Sequence, residues 1–293
     1  MFVWLAIIGE VGAVVGPVLG SALLGWGLDA ALTAGIAVFS AVTVLLWWRL
    51  PAEPRRPRRP ENTPDDGAPE SGWIPACLRT PRFVLFCALV SVNLLAYNQL
   101  YFAIPVELER RGLAPEWLGA LFLLASLLTL SLQLPVAAAA RRIGPGATLA
   151  GGFGLVGAAF VVLAGLSDHT GDGAPSAVMP VAVTVAVLVL GHMMITPTVL
   201  SLVPTFIPAR HGASCRGAYY GLVATCGGVA VLAGNVVLGR LVDAVDLHHW
   251  WAGLPWTPLV LLALLSAVAL PWVLPAVRAP EPTTQELTVS SSQ

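Results

Sequence analysis

Eight long apolar stretches dominate this sequence and decide what it can fold into. Each matches the roughly 20 residues that a helix needs to cross a bilayer. Their interiors carry almost no charge, although the first holds Glu10 and the sixth holds His192. None shows the polar face of a soluble amphipathic helix, so the patterns indicate lipid as the solvent. The stretches are residues 3–24, 30–50, 83–106, 117–140, 147–166, 177–206, 217–239 and 255–277.

Backbone chemistry selects helices for these stretches, because an open sheet cannot satisfy its polar groups in lipid. The composition agrees: 57% of the residues are hydrophobic and 11% are charged. A soluble domain carries about 25% charged residues. The sequence therefore predicts an all-α polytopic membrane protein with about eight transmembrane helices.

Arginine sets the expected orientation, since every basic residue in the chain is an arginine. If residues 51–82 are cytoplasmic, the outer side holds only Arg110, Arg111 and Arg240. The positive-inside rule then predicts a multi-pass protein of the cell (inner) membrane with both termini in the cytoplasm. The remaining arginines fall on the cytoplasmic side: Arg49, Arg55, Arg56, Arg58, Arg59, Arg79, Arg82, Arg141, Arg142, Arg210, Arg216 and Arg278.

The stretch 51–82 is hydrophilic and rich in proline, and it contains the run RRPRR. This composition disfavours a packed core and predicts an extended cytoplasmic linker. The linker divides the chain into residues 1–50, with two spans, and residues 83–278, with six. Residues 279–293 are expected to form a disordered cytoplasmic tail.

Several function classes lack support in the sequence. A formal net charge of −1 provides no basic surface for nucleic acid. There is no GxSxG, HExxH or GxxxxGK[ST] motif, so neither a catalytic site nor a nucleotide site is predicted. No CxxC pair occurs, and neither a metal nor a cofactor is expected. The cysteines are interpreted as small packing residues: Cys77, Cys87, Cys215 and Cys226.

The first span contains GEVGAVVGPVLGSALLG, in which Gly12, Gly16 and Gly20 are spaced by four and Pro17 follows the second glycine. Small residues at this spacing allow close helix approach, and the proline invites a kink. The pattern resembles the antiporter motif in the fifth helix of drug–proton antiporters of the major facilitator superfamily. Two positions depart from that motif, which has glycines where this chain has Ser21 and Val3.

Two cytoplasmic loops extend the resemblance. Arg141, Arg142 and Gly144 stand where the family repeats a Gly/Asp/Arg signature, and Arg216 and Gly217 match the start of helix eleven. The resemblance implies a major facilitator fold in which the spans correspond to helices five to twelve of twelve. Residues 1–50 would then be the last two helices of the N-terminal half, and 83–278 the C-terminal half. The first four helices would be missing.

Polar residues inside the spans are the candidate working groups, because polar groups in hydrocarbon are expensive. Glu10 is a candidate for proton coupling, since desolvation favours its protonated form. The alternative is that it reaches water at the cytoplasmic mouth and has no role in coupling. Asn93, Tyr97 and Tyr101, spaced by four, form a predicted polar-aromatic stripe.

Three further candidates for the substrate cavity are Gln133, His192 and Asn235. Each could face substrate or bond to a neighbouring helix, and for His192 the favoured interpretation is a satisfied core histidine. Both interpretations stay open for Gln133 and Asn235.

The resemblance implies a secondary active antiporter for multidrug efflux, which exports small amphipathic compounds by alternating access in exchange for protons. The expected partners are the lipid bilayer, a small-molecule substrate, protons and a missing N-terminal half. One alternative is a truncated membrane fragment that transports nothing without a partner chain. Another is a transporter of a sugar, an amino acid or a metabolite. Substrate identity, oligomeric state and the choice between antiport, symport and facilitation stay open.

Overall fold

The computed structural model describes residues 26–49, 77–114, 116–167, 177–207, 216–248 and 250–274, with isolated positions at 12, 16, 19 and 23. Over this part of the chain the long elements are all α-helices, and two short 3-10 helices, Val203–Phe206 and Leu254–Trp256, adjoin them. The α-helices are α1 (Leu28–Arg49), α2 (Pro81–Asn98), α3 (Ala103–Arg110), α4 (Glu116–Ile143), α5 (Pro145–Leu166), α6 (Val178–Leu202), α7 (Arg216–His248) and α8 (Thr257–Val273).

Within the described residues, seven helical segments are long and apolar enough to cross a membrane. They coincide with seven of the eight predicted spans, and α2 and α3 together form one of them. The predicted span 3–24 lies outside the described residues except for its isolated positions. The linker 51–82 lies outside them up to residue 76, so the division of the chain into domains stays a prediction.

The six spans after the linker pack with a pairwise symmetry. Helix α2 packs on α7, and α6 packs on α4 in the corresponding place. Helix α5 packs on α6, and α8 packs on α2. The symmetry relates a first unit, α2 to α5, to a second unit, α6 to α8. Because successive spans alternate in direction, the two units have inverted topology, as in the nested repeats of major facilitator halves.

Glycines allow a close contact between the two units. A Cβ on Gly191 of α6 would lie 2.7 Å from the carbonyl oxygen of Gly152 on α5, and a Cβ on Gly152 would lie 2.7 Å from Ile195. Without side chains at these positions the two backbones approach closely, which is how small residues stabilise helix pairs in lipid. Gly154, two residues along α5, has open space around it.

Proline explains why the third span is not one straight helix. Within a helix, Pro105 would lack the N–H that bonds to residue 101, and its ring would clash with that carbonyl. Helix α2 instead ends at Asn98, and α3 begins at Ala103, so Pro105 falls in the first turn of α3. A proline there removes no intrahelical bond. The backbone between the helices forms turns, such as the bond from Tyr101 N–H to Asn98 carbonyl oxygen at 3.0 Å.

Helix α1 differs from the later helices because none of its residues is buried. Trp47 and Trp48 near its end are more than four-fifths exposed. Tryptophans concentrate at the interfaces of a membrane, and α1 also ends on Arg49. Most of the surface of α1 is therefore available for lipid or for further helices.

We predict that Gly191→Ala lowers the thermal stability of the detergent-purified protein, because the new methyl group would meet the backbone of α5. Overpacking of this kind costs about 1–3 kcal/mol. Gly154→Ala is the matched control, and it should leave the melting temperature unchanged or slightly raised, since alanine favours helix more than glycine does. Equal melting temperatures for Gly191→Ala and the unmodified protein would contradict the close contact.

Candidate functional site

A polar cluster joins α2 to α6 near the middle of the membrane spans. The Asn93 side-chain amide donates to the Thr196 hydroxyl at 3.1 Å, and its oxygen lies 3.2 Å from His192 Nδ1. The Thr196 hydroxyl also lies 3.2 Å from His192 Nε2. Tyr97, one turn after Asn93, stacks on the His192 ring with 3.8 Å between ring centroids. We call these four residues the α2–α6 cluster.

The members of the cluster differ in how far their side chains are buried. Asn93 is buried and links the two helices, whereas Tyr97, His192 and Thr196 are only half-buried. The stacked rings therefore present an aromatic surface flanked by hydrogen-bonding groups. Such a surface can hold a flat compound by ring stacking and orient it through a few polar contacts. The α2–α6 cluster thus combines interhelical bonding with a surface that has the chemistry to bind such a compound.

A second polar network, which we call the α2–α7 network, lies at the break after α2. The Asn235 amide on α7 donates to the Asn98 side-chain oxygen at 2.8 Å, and Gln99 donates to the Asn235 oxygen at 3.1 Å. Gln99 also donates to the Leu95 carbonyl at 3.1 Å, which satisfies an acceptor near the end of α2. Asn235 therefore bonds to a neighbouring helix, one of the two interpretations that the sequence left open, and its place in the cavity stays a prediction.

Two of the predicted cavity residues belong to neither the α2–α6 cluster nor the α2–α7 network. Tyr101 was expected to continue the stripe of Asn93 and Tyr97, but it lies in the turn after α2. It is 57% exposed, and its ring packs 5.1 Å from that of Phe122. The spacing rule was wrong for Tyr101 because the helix breaks before it. Gln133 is half-buried on α4, and no hydrogen bond joins it to either group.

The antiporter motif is only partly described. Glu10, Pro17 and Gly20 lie outside the described residues. Gly12 and Gly16 are helical and exposed, and a Cβ on either would meet none of the described atoms within 4 Å. The roles predicted for Glu10 and for this motif therefore stay predictions.

The predicted cytoplasmic loop between α4 and α5 is a single residue. Arg141 and Arg142 lie in the last turn of α4 and are exposed, and Gly144 separates the two helices with φ +84°. This backbone conformation favours glycine. The Thr148 hydroxyl donates to the Gly144 carbonyl at 2.7 Å and stabilises the turn.

A cleft of about 380 Å³ opens beside this turn, lined by α4, α5 and α6, with Arg141 and Gly144 among its walls. Arg216 and Gly217, the other predicted loop residues, begin α7 and are exposed. The described residues place no second charged side chain in the lining of this cleft.

Sequence reasoning missed a buried carboxylate, Glu107, because the predicted span ended at residue 106. Glu107 lies on α3 and is fully buried. The Trp256 indole N–H donates to its Oε1 at 2.9 Å, and the Ser167 hydroxyl lies 2.8 Å from the same atom. Arg110 and Arg111 form ion pairs with it at 3.6 and 3.9 Å. One carboxylate thus connects α3, the end of α5 and the segment before α8.

The sequence did hold one signal for Glu107. Arg110 and Arg111 follow it at three and four positions, the spacing of ion pairs on one helix face. Nothing in the sequence indicates Ser167 or Trp256 as partners. The 3.0 Å ion pair from Arg110 to Asp246 on α7 is likewise a contact between distant segments.

We predict that Glu107→Ala strongly destabilises the protein, because Arg111, which is 3% exposed, would stay buried without its carboxylate. Removing one partner of a buried ion pair costs about 3–5 kcal/mol. The measurement is the melting temperature in detergent. Glu109→Ala, an exposed position on the same helix, should change stability by less than about 0.5 kcal/mol. Equal effects of the two substitutions would contradict a structural role for Glu107.

Comparisons of the sequence with known proteins point to one family. The sequence model of the Major Facilitator Superfamily matches residues 1–220. Two proteins described as uncharacterized MFS-type transporters, from Mycobacterium tuberculosis strains CDC 1551 / Oshkosh and ATCC 25618 / H37Rv, are each 24% identical over 262 residues. The match covers 88% of this chain and 60% of each relative, so the chain spans about three-fifths of their length.

No solved structure matches the chain significantly. The family match nevertheless covers well over half of the 293 residues, and the all-helical fold with its pairwise symmetry agrees with it. Members of this family are transporters rather than enzymes. This multi-pass membrane protein belongs to the Major Facilitator Superfamily.

Proposed function

We propose that this chain works in secondary transport, exporting small amphipathic compounds by alternating access in exchange for protons. The observation that carries the proposal is the α2–α6 cluster near the middle of two spans. Transporters built from inverted repeats bind their substrates at this depth. We further propose that the protein lies in the cell (inner) membrane with both termini in the cytoplasm.

The chemistry of the cluster supports the proposed substrate class. Its members offer two stacked rings, an amide and a hydroxyl, with no carboxylate and no arginine among them. Such a wall favours flat compounds with a few hydrogen-bonding groups over strongly charged solutes. Polar side chains in hydrocarbon are expensive, and lining a cavity is a common reason for their presence.

The rest of the cavity would come from helices outside the described six-span unit. The chain spans about 60% of the length of its relatives, and α1 buries none of its residues within the described part. We propose that a further set of helices completes the transporter. These observations equally favour the alternative in which the chain is inactive until a partner chain supplies that set.

We predict that Tyr97→Leu reduces efflux of a fluorescent aromatic dye from cells that express the protein. Loss of the ring stacked on His192 should lower the initial rate by roughly tenfold, equivalent to about 1.4 kcal/mol. Tyr101→Leu is the matched control, because Tyr101 lies in the turn after α2 and outside the cluster. Its efflux rate should stay within about twofold of the unmodified protein.

Three outcomes separate the candidate functions. Efflux that stops with a protonophore supports proton-coupled export. Efflux that requires co-expression of a chain with an N-terminal half supports the partner-dependent alternative. If neither arrangement exports dye while sugar, amino acid or metabolite uptake rises, export of amphipathic compounds is wrong.

We also predict that Glu10→Gln uncouples transport from protons. The amide cannot exchange a proton, so dye should still equilibrate across the membrane but should no longer move against its gradient. The matched control is Asp29→Asn, an exposed carboxylate at the start of α1. The measurement is dye accumulation in inverted vesicles with an imposed pH gradient. Uphill accumulation that survives Glu10→Gln would exclude the coupling role.

A further inference from the structure

The hydrogen bonds of the α2–α6 cluster form a closed cycle that runs in one direction. The Asn93 side-chain oxygen can only accept, so its contact of 3.2 Å with His192 Nδ1 places a proton on that nitrogen. The Asn93 amide donates in turn to the Thr196 hydroxyl at 3.1 Å. In a neutral imidazole Nε2 is then an acceptor, and the Thr196 hydroxyl, 3.2 Å away, is the donor that reaches it. The same hydroxyl lies 3.5 Å from Nδ1, which already donates to Asn93. Each of the three side chains thus donates one bond and accepts one.

The same side chains can also hold one additional proton. When water protonates Nε2, this nitrogen becomes a donor, and the Thr196 hydroxyl accepts from it as well as from Asn93. The hydroxyl proton then turns to the backbone carbonyl of His192, four residues earlier on α6, which is the acceptor that threonine commonly uses within a helix. Every hydrogen-bonding group keeps a partner in this second arrangement. Proton uptake therefore changes the charge of the cluster without breaking it.

The surroundings of His192 offer no carboxylate that would neutralise this added charge. Helices α2, α3, α4 and α5 and the 3-10 helix Val203–Phe206 contact α6. The titratable group that faces the imidazole is the phenol ring of Tyr97. Among the described residues of these elements and of α6, the charged side chains lie near helix ends: Arg82, Glu107, Glu109, Arg110, Glu116, Arg141 and Arg142.

The stacked rings of Tyr97 and His192 suit a flat organic cation. Aromatic faces attract cations electrostatically, and both rings are half-buried, so part of each remains accessible. A neutral His192 offers this surface without repelling a positive charge. A protonated His192, whose ring centroid lies 3.8 Å from that of Tyr97, places its own positive charge at the same surface. Two positive charges at this distance repel each other strongly where water is scarce.

We propose that His192 is a proton-binding residue of the α2–α6 cluster and that a proton there and a flat aromatic cation displace each other. The proposal rests on the proposed export function, and it names monovalent aromatic cations as the substrate class of that site. The role of His192 is separate from that proposed for Glu10. Protonation of His192 decides whether the cluster holds a cation, whereas Glu10 would couple transport to the proton gradient.

The first experiment examines the proton site without any transport. The protein is labelled with ¹⁵N-histidine and embedded in lipid nanodiscs, and its imidazole signals are followed by NMR as the pH is lowered. The signals of His192 are those that disappear in His192→Gln. We expect the Nδ1–H tautomer at neutral pH and a ring with protons on both nitrogens at lower pH. An Nε2–H tautomer, or a ring that stays neutral until the protein unfolds, would overturn the proposal.

The second experiment measures binding of ethidium, a flat aromatic cation, to the same nanodiscs by fluorescence polarisation. Below the pH at which His192 takes up its proton, the affinity should fall by up to about tenfold per pH unit, the slope for one displaced proton. His192→Gln should bind ethidium with a nearly constant affinity, because an amide can form hydrogen bonds but cannot take the proton. His248→Gln, at an exposed histidine that ends α7, is the matched control and should keep the pH dependence.

Linkage requires the reciprocal effect, so saturating ethidium should keep the His192 ring neutral at pH values where the free protein is protonated. Three results would overturn the proposal: no ethidium binding at any pH, an unchanged pH dependence in His192→Gln, or His192 signals that ignore bound ethidium. Failure of the export function alone has a different outcome. In that case both binding results hold, and cells that express the protein export no ethidium.

Discussion

The structure depends on one constraint: a polar group within the hydrocarbon must find its partner inside the protein. Helix α2 shows how the chain meets this requirement, because it packs on α6, α7 and α8 at once. Its Asn93 bonds to α6, and its Asn98 and the following Gln99 bond to α7. Its Leu89 carbonyl accepts from Ser266 on α8 at 3.1 Å. The polar side chains of α2 thus determine which neighbours it can have and in which register.

The same constraint explains why the break after α2 is tolerated. A turn at residues 99–102 leaves backbone groups without regular helical partners, which would be costly in lipid. Gln99 is 1% exposed, so the start of the break is covered by protein, and its side chain satisfies the Leu95 carbonyl. Pro105 disfavours a continuous helix, and the α2–α7 network stabilises the break that results.

Hydropathy predicted seven spans that the structure describes, because burial in lipid imposes length and composition on each helix independently of its neighbours. Pairings could not be predicted in the same way: Asn93 and His192 are 99 positions apart, and no local pattern connects them. Tyr101 shows the limit of a periodic rule, which fails where the helix it assumes is interrupted. Glu107 shows the limit of an apolar window, since the helix and its burial continue past the last apolar residue.

Some polar groups of the six-span unit are fully buried and others are half-buried, and this difference affects how the unit can move. Glu107 is held by partners from α3, α5 and the segment before α8, all inside the unit, so it strengthens the unit as one body. The half-buried Tyr97 and His192 instead present part of their rings beyond the unit. Alternating access by rocking needs this combination, a body that does not deform and a surface that meets different surroundings on its two sides. Under the proposed transport function, the buried carboxylate would keep the unit rigid and the half-buried rings would form the surface that meets different surroundings.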